Sequence, residues 1–167
     1  MDCKPLQEKQ LNIKKGIELL LWVIVLQGVG FLFGLLTKAN IFPWYEHLNK
    51  SSLTPPPWVF STVWSLLYLL LAYVGWVLWT NRKEPRVRPL FYLYLLQLVM
   101  NWSWTPFFFQ RHWTGFSLLW IILIASLTGI MIYRLYPEKR TLAVLLMPYL
   151  VWLVFAAYLN GVIWLWN

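Results

Sequence analysis

The sequence predicts an all-α integral membrane protein, folded as one compact bundle of five transmembrane helices. Hydrophobic residues account for 60% of the 167 positions and charged residues for 12%, whereas soluble domains are roughly half apolar and a quarter charged. Uncharged runs occupy residues 19–37, 51–81, 89–110, 112–133 and 141–167. Each run supplies the roughly 20 apolar residues that a helix needs to cross a bilayer. So little chain remains outside these runs that no soluble catalytic domain is expected.

The predicted elements follow these runs in order. We expect a basic N-terminal tail over residues 1–16 and a single five-helix transmembrane domain over residues 17–167. The helices are predicted at about 17–37, 56–80, 89–109, 114–135 and 140–165, with a loop at about 38–55. The first run is interpreted as a span and not as a signal peptide, because no small-residue cleavage pattern follows it. Pro55–Pro57 fix the backbone where the second helix begins.

Basic residues predict the orientation in the membrane. Of the 14 lysines and arginines, only Lys38, Lys50 and Arg111 fall on the side of the loop at 38–55. The positive-inside rule therefore places the N-terminus in the cytoplasm and that loop outside. This bias, together with the lack of a targeting presequence, suits a bacterial inner membrane. We interpret the net charge of +8 as topology and attraction to anionic lipid head groups, and not as a surface for nucleic acid.

Ionisable residues are confined to the ends of the predicted spans. The six acidic residues and two histidines lie in tails, loops or the first turn of a span, whereas ion pathways and proton relays need charge at bilayer depth. The sequence contains no paired carboxylates, no serine–histidine–aspartate order and no cluster of metal ligands. Cys3 is the only cysteine, which excludes an intrachain disulfide. We therefore predict no acid-base residue, no metal site and no required cofactor, and we leave open whether the protein is an enzyme.

Polar and aromatic residues form stripes at helical spacing on three of the helices. These stripes are Ser61, Trp64 and Tyr68 on the second helix; Gln97, Asn101, Trp104, Thr105 and Phe108 on the third; and Pro148, Trp152, Ala156 and Asn160 on the fifth. Any one stripe is equally typical of helix packing, because indoles favour membrane interfaces and amides bridge helices. Three coinciding stripes favour an apolar cleft with a few polar groups, suited to a flat hydrophobic ligand.

Small residues and prolines leave further alternatives open. Gly30 and Gly34 form a GxxxG pair that permits close helix contact, either within the bundle or between subunits. Pro106 and Pro148 lie within the third and fifth spans, where each removes a backbone hydrogen bond. Either proline could open room for a ligand or form an ordinary kink.

Three blocks of sequence resemble one family. The first runs from Trp44-Tyr45 through Leu53-Thr54-Pro55-Pro56 to Tyr68, the second is Asn101–Phe109, and the third is Pro148–Asn160. Together they are similar to the tryptophan-rich sensory protein and translocator protein family, also called peripheral benzodiazepine receptors. The resemblance extends from about residue 20 to the C-terminus and leaves out the basic tail. Its three blocks occur in the family's order and spacing.

The resemblance implies a five-helix bundle, commonly a homodimer, that binds porphyrins and haem and, in mitochondrial members, cholesterol and benzodiazepine-type ligands. Its pocket lies beneath the loop after the first helix, and Trp64 and Asn101 are similar to the pair that hydrogen-bonds a ligand carbonyl. Carried over by position, the pocket residues are Tyr45, Pro55, Phe60, Trp64, Tyr68, Asn101, Trp104, Thr105, Phe108, Ile121, Trp152, Ala156 and Leu159.

Two departures from the family pattern bear on the ligand. The cholesterol-recognition motif needs a basic residue soon after the tyrosine of the last helix, but none follows Tyr158. A dedicated sterol site is therefore disfavoured, and tetrapyrrole binding is favoured. The family's glycine after the double proline is Pro57 here, which stiffens the entry to the second helix.

Three function classes remain in the sequence interpretation. The leading hypothesis is a receptor, sensor or transporter for porphyrin or haem, with the loop at 38–55 as its lid. An alternative is oxidative, photochemical degradation of porphyrin that begins at the indole of Trp64 or Trp152. The third is a scaffold for a membrane partner protein.

Overall fold

The computed structural model describes the backbone of residues 4–167 and the side chains of residues 10–167, so Cys3 lies outside the described residues. The described chain is helical and contains no strand. Its helices are α1 (Lys4–Ala39), α2 (Pro57–Thr80), α3 (Arg88–Thr105), α4 (Thr114–Leu135) and α5 (Arg140–Trp166), with a kinked turn at Ile41–Tyr45 and a π-helical turn at Pro106–Gln110.

The helix bounds differ from prediction at the start of α1 and at the end of α3, which stops at Thr105 and not at about residue 109, so Pro106 lies in the turn that follows it. The structure has α4 at its predicted bounds, and α2 and α5 each differ by one residue at one end. However, α1 begins at Lys4 and not at about residue 17, so most of the predicted tail is helical. Residues 4–15 include glutamine, glutamate, leucine and lysine, which favour helix formation whether or not they lie in a membrane.

Among the residues that the structure describes, four helices are long and apolar enough to cross a membrane: α1 over Gln10–Ala39, α2, α4 and α5. The predicted third span is not confirmed, because α3 does not meet that standard over its 18 residues. The reason is its polar content, since Gln97 and Asn101 lie in its second half and Arg88 begins it. Both amides are buried, at 1% and 7% exposure, so the polar side chains of α3 face the protein interior.

Around the bundle the helices follow the order α1, α2, α5, α4, α3, because each packs against its neighbours in that series. The middle of the bundle contains the largest fully buried side chains, among them Tyr94, Tyr149, Leu71 and Ile124. By contrast, the apolar residues of α1 mostly face outward, and only 6% of its most apolar window is buried. The bundle therefore contacts the lipid bilayer over a broad apolar surface.

The GxxxG pair of α1 is divided between two environments. A Cβ atom at Gly30 would lie 2.5 Å from the ring of Tyr68, whereas one at Gly34 would have no neighbour within 4 Å. Gly30 therefore permits close packing of α1 on α2 inside the bundle. This answers the question that the sequence left open for Gly30, and it leaves Gly34 on the outer surface.

The segment after α1 is more helical than the predicted loop at 38–55. The helix continues to Ala39, and a short turn follows over Ile41–Tyr45 that is kinked at Phe42, where the backbone is extended (φ −92°, ψ 141°). The ammonium group of Lys50 donates hydrogen bonds to the carbonyl oxygens of Tyr45 and Glu46, at 2.7 and 3.0 Å. These bonds satisfy carbonyl groups at the end of the turn, which have no partner within the helix.

Candidate functional site

A chain of hydrogen bonds crosses the middle of the bundle and joins three helices. Tyr68 on α2 donates its hydroxyl to Asn101 Oδ1 on α3 at 3.2 Å, and Asn101 donates Nδ2 to the Tyr149 hydroxyl on α5 at 3.0 Å. Tyr149 in turn donates to Gln97 Oε1 at 2.9 Å. All four side chains are buried. Because no water competes inside a bilayer, polar groups there are stabilised by partners within the protein; Gln97 Nε2 is buried without one among the described residues.

Two tryptophans lie beside this chain. The ring of Trp64 lies 5.5 Å from that of Tyr68 and 6.4 Å from that of Tyr149, between ring centroids. Trp152 on α5 contacts Phe60 on α2 edge to face at 5.7 Å. Its indole nitrogen is buried and has no hydrogen-bond partner among the described residues. An indole N–H in that state is a donor available to a bound molecule.

A second aromatic group covers the C-terminal end of α3 and is here called the lid cluster. Tyr45 packs against Phe108 and Phe109, at 6.3 and 5.4 Å between centroids. Phe108 stacks on Trp104 at 4.8 Å with ring planes 13° apart. Trp44 contacts Phe108 edge to face at 5.5 Å. Trp104 packs against both this cluster and the main core, so it connects the lid cluster to the middle of the bundle.

The segment after the lid cluster is fastened to α5. The backbone N–H of Asn49 donates to Asn167 Oδ1 at 2.9 Å, and Asn167 Nδ2 donates to the Asn49 carbonyl oxygen at 3.1 Å. Asn49 Nδ2 also donates to the carbonyl oxygen of Trp166 at 3.3 Å. The hydroxyls of Ser51 and Tyr158 lie 2.9 Å apart. These neutral hydrogen bonds hold residues 46–56, here called the lid segment, over the end of the bundle.

The structure places the 13 predicted pocket residues in several groups. Phe60, Trp64, Tyr68, Asn101 and Trp152 lie in or beside the central chain, while Tyr45, Trp104 and Phe108 belong to the lid cluster. Ile121 and Ala156 belong to the main core, and Leu159 is buried. Pro55 and Thr105 are partly buried and do not take part in the contacts described above.

The stripe predicted on α5 starts at the wrong residue. Pro148 is exposed, and the next residue, Tyr149, is fully buried at the centre of the hydrogen-bond chain. Ser61 is also exposed, and its hydroxyl donates to the Pro57 carbonyl oxygen within its own helix. The burial of Tyr149 could have been predicted from the sequence, because Tyr149 is three residues before Trp152 and so lies on the same helix face.

Sequence reasoning also missed a stacked pair at the lid. The centroids of the Trp44 and His112 rings lie 3.9 Å apart, and the ring planes are 14° apart. The loop after the third helix therefore contacts the lid cluster. His112 has a positive φ of 55°. No local pattern in the sequence indicates this contact between distant loops.

Aromatic side chains in the candidate region pack against one another. Surface cavities of about 600 and 210 Å³ lie at the end of α4 beside Arg134 and between Lys15 and Trp76. Within the described residues, no group of three histidine, cysteine, aspartate or glutamate side chains is placed to hold a metal.

Comparison with known proteins identifies relatives over most of the chain. Residues 22–165 match the model of the TspO/MBR family. A translocator protein from Sus scrofa is 36% identical over 154 residues, covering 83% of this chain and 89% of that protein. The tryptophan-rich protein TspO of Archaeoglobus fulgidus is 32% identical over 159 residues, covering 94% and 99%. The human translocator protein is 36% identical over 124 residues, covering 72% and 73%. The chain belongs to the TspO/MBR family.

Proposed function

We propose that this chain binds porphyrin, haem or a similar flat hydrophobic molecule inside the bundle, as a membrane receptor, sensor or transporter. The observation that supports this most is the hydrogen-bond chain Tyr68–Asn101–Tyr149, which crosses three helices with indoles at its side. Such a site combines a few fixed polar groups with aromatic faces, as small-molecule sites usually do.

The two parts of the site have different roles in this proposal. The rings of Trp64 and Trp152 present faces and edges on which a planar macrocycle can stack. The Asn101 amide and the unpartnered Trp152 N–H supply hydrogen bonds to ligand acceptors. The lid segment controls access, because its hydrogen bonds to α5 must break before the rings beneath it separate.

Binding is tested by titrating protoporphyrin IX into the purified protein and following its absorbance and the tryptophan fluorescence. We expect the Trp64→Ala, Trp152→Ala double variant to bind at least about tenfold more weakly, because it loses two stacking surfaces. Trp79→Ala is the matched control, since Trp79 is on α2 about 22 Å along the helix from Trp64. Unchanged affinity in the folded double variant contradicts the site.

Oxidative degradation of porphyrin is the second candidate function. It is supported by the position of Trp64 and Trp152, whose indoles lie within or beside the proposed site. If it occurs, porphyrin absorbance falls when the complex is illuminated in oxygen, and Trp64→Phe with Trp152→Phe slows the loss. Absorbance that stays constant in the wild type removes this function and leaves binding alone.

We also propose that the N-terminus lies in the cytoplasm of a bacterial cell and the lid segment outside. The distribution of basic residues supports this orientation. Cys3, the only cysteine, offers a direct test with a membrane-impermeant maleimide applied to spheroplasts. The wild type should stay unlabelled and the Cys3→Ser, Ser52→Cys variant should react, because Ser52 is an exposed residue of the lid segment. The reverse pattern contradicts the orientation.

A homodimer is the proposed assembly. The outward apolar surface of α1, with Gly34 at its surface, offers area for a second copy. Light scattering of the detergent-solubilised protein, corrected for detergent, should give twice the chain mass of 20.0 kDa. A single-chain mass contradicts the dimer.

A further inference from the structure

Lys50 presents a cation at the lid cluster. Its ammonium nitrogen lies 4.8 Å from the centroid of the Tyr45 ring and donates to the carbonyl oxygens of Tyr45 and Glu46. The side chain is partly buried against this turn. A lysine ammonium has three N–H donors, so one remains available after the two carbonyl oxygens are satisfied.

No carboxylate neutralises this cation within the described side chains. The two ion pairs there, Arg86–Glu138 and Lys139–Glu84, both lie at the opposite end of the bundle. Glu46 offers Lys50 its backbone oxygen and not its carboxylate. A partly buried charge without a counter-ion is unfavourable compared with one that has an anionic partner, so the site is suited to receive an anion.

The cation also ends a continuous series of aromatic rings. Tyr45 packs on Phe108 at 6.3 Å, and Phe108 stacks on Trp104 at 4.8 Å. Trp104 in turn borders the main core. A planar molecule that enters among these rings therefore has an apolar environment along its face and a positive charge at its edge toward the lid.

We propose that the ligand of this site bears a carboxylate that pairs with Lys50 Nζ under the lid segment. This inference rests on the proposed binding function and assigns Lys50 as the residue that distinguishes planar hydrophobic acids from neutral molecules of the same shape. Neutral molecules of the same shape lack the group that Lys50 selects. A charge-assisted hydrogen bond of this kind is stronger than a neutral one.

The test compares protoporphyrin IX with its dimethyl ester, which keeps the macrocycle and removes both charges. Wild-type protein in neutral detergent should bind the acid about tenfold more tightly than the ester. Lys50→Gln should weaken binding of the acid to the level of the ester and leave the ester unchanged, while Lys50→Arg should restore preference for the acid. Lys38→Gln is the matched control, because Lys38 is an exposed lysine in the last turn of α1.

The outcomes separate this inference from the proposed function. Equal affinity of wild-type protein for acid and ester overturns the carboxylate contact while porphyrin binding stands, and that comparison needs no variant. Equal weakening of both ligands by Lys50→Gln also overturns it, because the lysine then acts only on the fold of the lid segment. Failure of both ligands to bind overturns the proposed function and the inference together.

Discussion

Asn101 donates its side-chain amide to the hydroxyl of Tyr149 across 3.0 Å while it accepts the hydroxyl of Tyr68 at 3.2 Å. One asparagine on α3 therefore connects α2 and α5, which pack against each other in the bundle. Both of its polar atoms are used, so its orientation is fixed by its partners. The second N–H of Nδ2 and the second lone pair of Oδ1 remain for a bound ligand.

Replacing Tyr149 with phenylalanine should destabilise the bundle. The substitution leaves Asn101 Nδ2 without its acceptor and Gln97 Oε1 without its donor. We expect a loss of about 1–2 kcal/mol in the free energy of unfolding, measured by equilibrium unfolding in mixed micelles with sodium dodecyl sulfate. Tyr133→Phe is the control, since Tyr133 is 78% exposed. Equal stability of the two variants contradicts the structural role of this chain.

The two glycines of the GxxxG pair should respond oppositely to alanine. Gly30→Ala places a methyl group 2.5 Å from the Tyr68 ring, and overpacking of this kind costs about 1–3 kcal/mol. Gly34→Ala meets no neighbour within 4 Å and should raise stability slightly, because alanine favours helix more than glycine does. Thermal unfolding of both variants in the same detergent tests the pair. A destabilised Gly34→Ala with a stable Gly30→Ala would show that the close contact is elsewhere.

Asn167→Ala should loosen the lid segment. The substitution removes the acceptor of the Asn49 N–H and the donor to the Asn49 carbonyl oxygen. Each neutral bond contributes about 1 kcal/mol, so we expect amide hydrogen exchange over residues 48–54 to become roughly tenfold faster or more. The control is Ser52→Ala, at an exposed position of the same segment. Unchanged exchange in Asn167→Ala would mean that the lid is held by its aromatic contacts alone.

Alkaline pH should weaken the lid cluster through Tyr45. Burial raises the pKa of the Tyr45 hydroxyl above its usual value of 10.0, so the neutral phenol is favoured in the folded state. The stabilisation that the buried neutral phenol provides is complete below pH 10 and falls as the pH rises through the raised pKa. The absorbance of tyrosinate at 295 nm, compared between wild type and Tyr45→Phe, isolates this group. A midpoint at or below 10.0 contradicts its burial.

The predicted stripe on α3 contains two buried amides, whereas the predicted stripe on α5 begins at an exposed proline. Asn101 and Gln97 stand one turn apart and face the same interior. On α5 the stripe was drawn at steps of four, which drift by about 40° per step on a helix of 3.6 residues per turn. Over this helix that drift placed exposed Pro148 where buried Tyr149 belongs.

The lid contacts could not be predicted from local pattern. Asn49 and Asn167 lie 118 residues apart in sequence. Their hydrogen bonds depend on how α1 and α5 are positioned along the bundle axis relative to each other. The start of α1 at Lys4 was missed for a different reason. Hydropathy marks the apolar part of a helix and does not register its polar extension into water.

The arrangement of α5 between α2 and α4 has a consequence for biosynthesis. The ribosome makes both of those helices before it makes the one that separates them, so the bundle closes late. Until α5 inserts, the Asn101 amide lacks the Tyr149 hydroxyl that it meets in the finished protein. A nascent chain arrested before α5 would therefore leave that amide facing the translocon or lipid without this partner, at the cost of an unmade hydrogen bond.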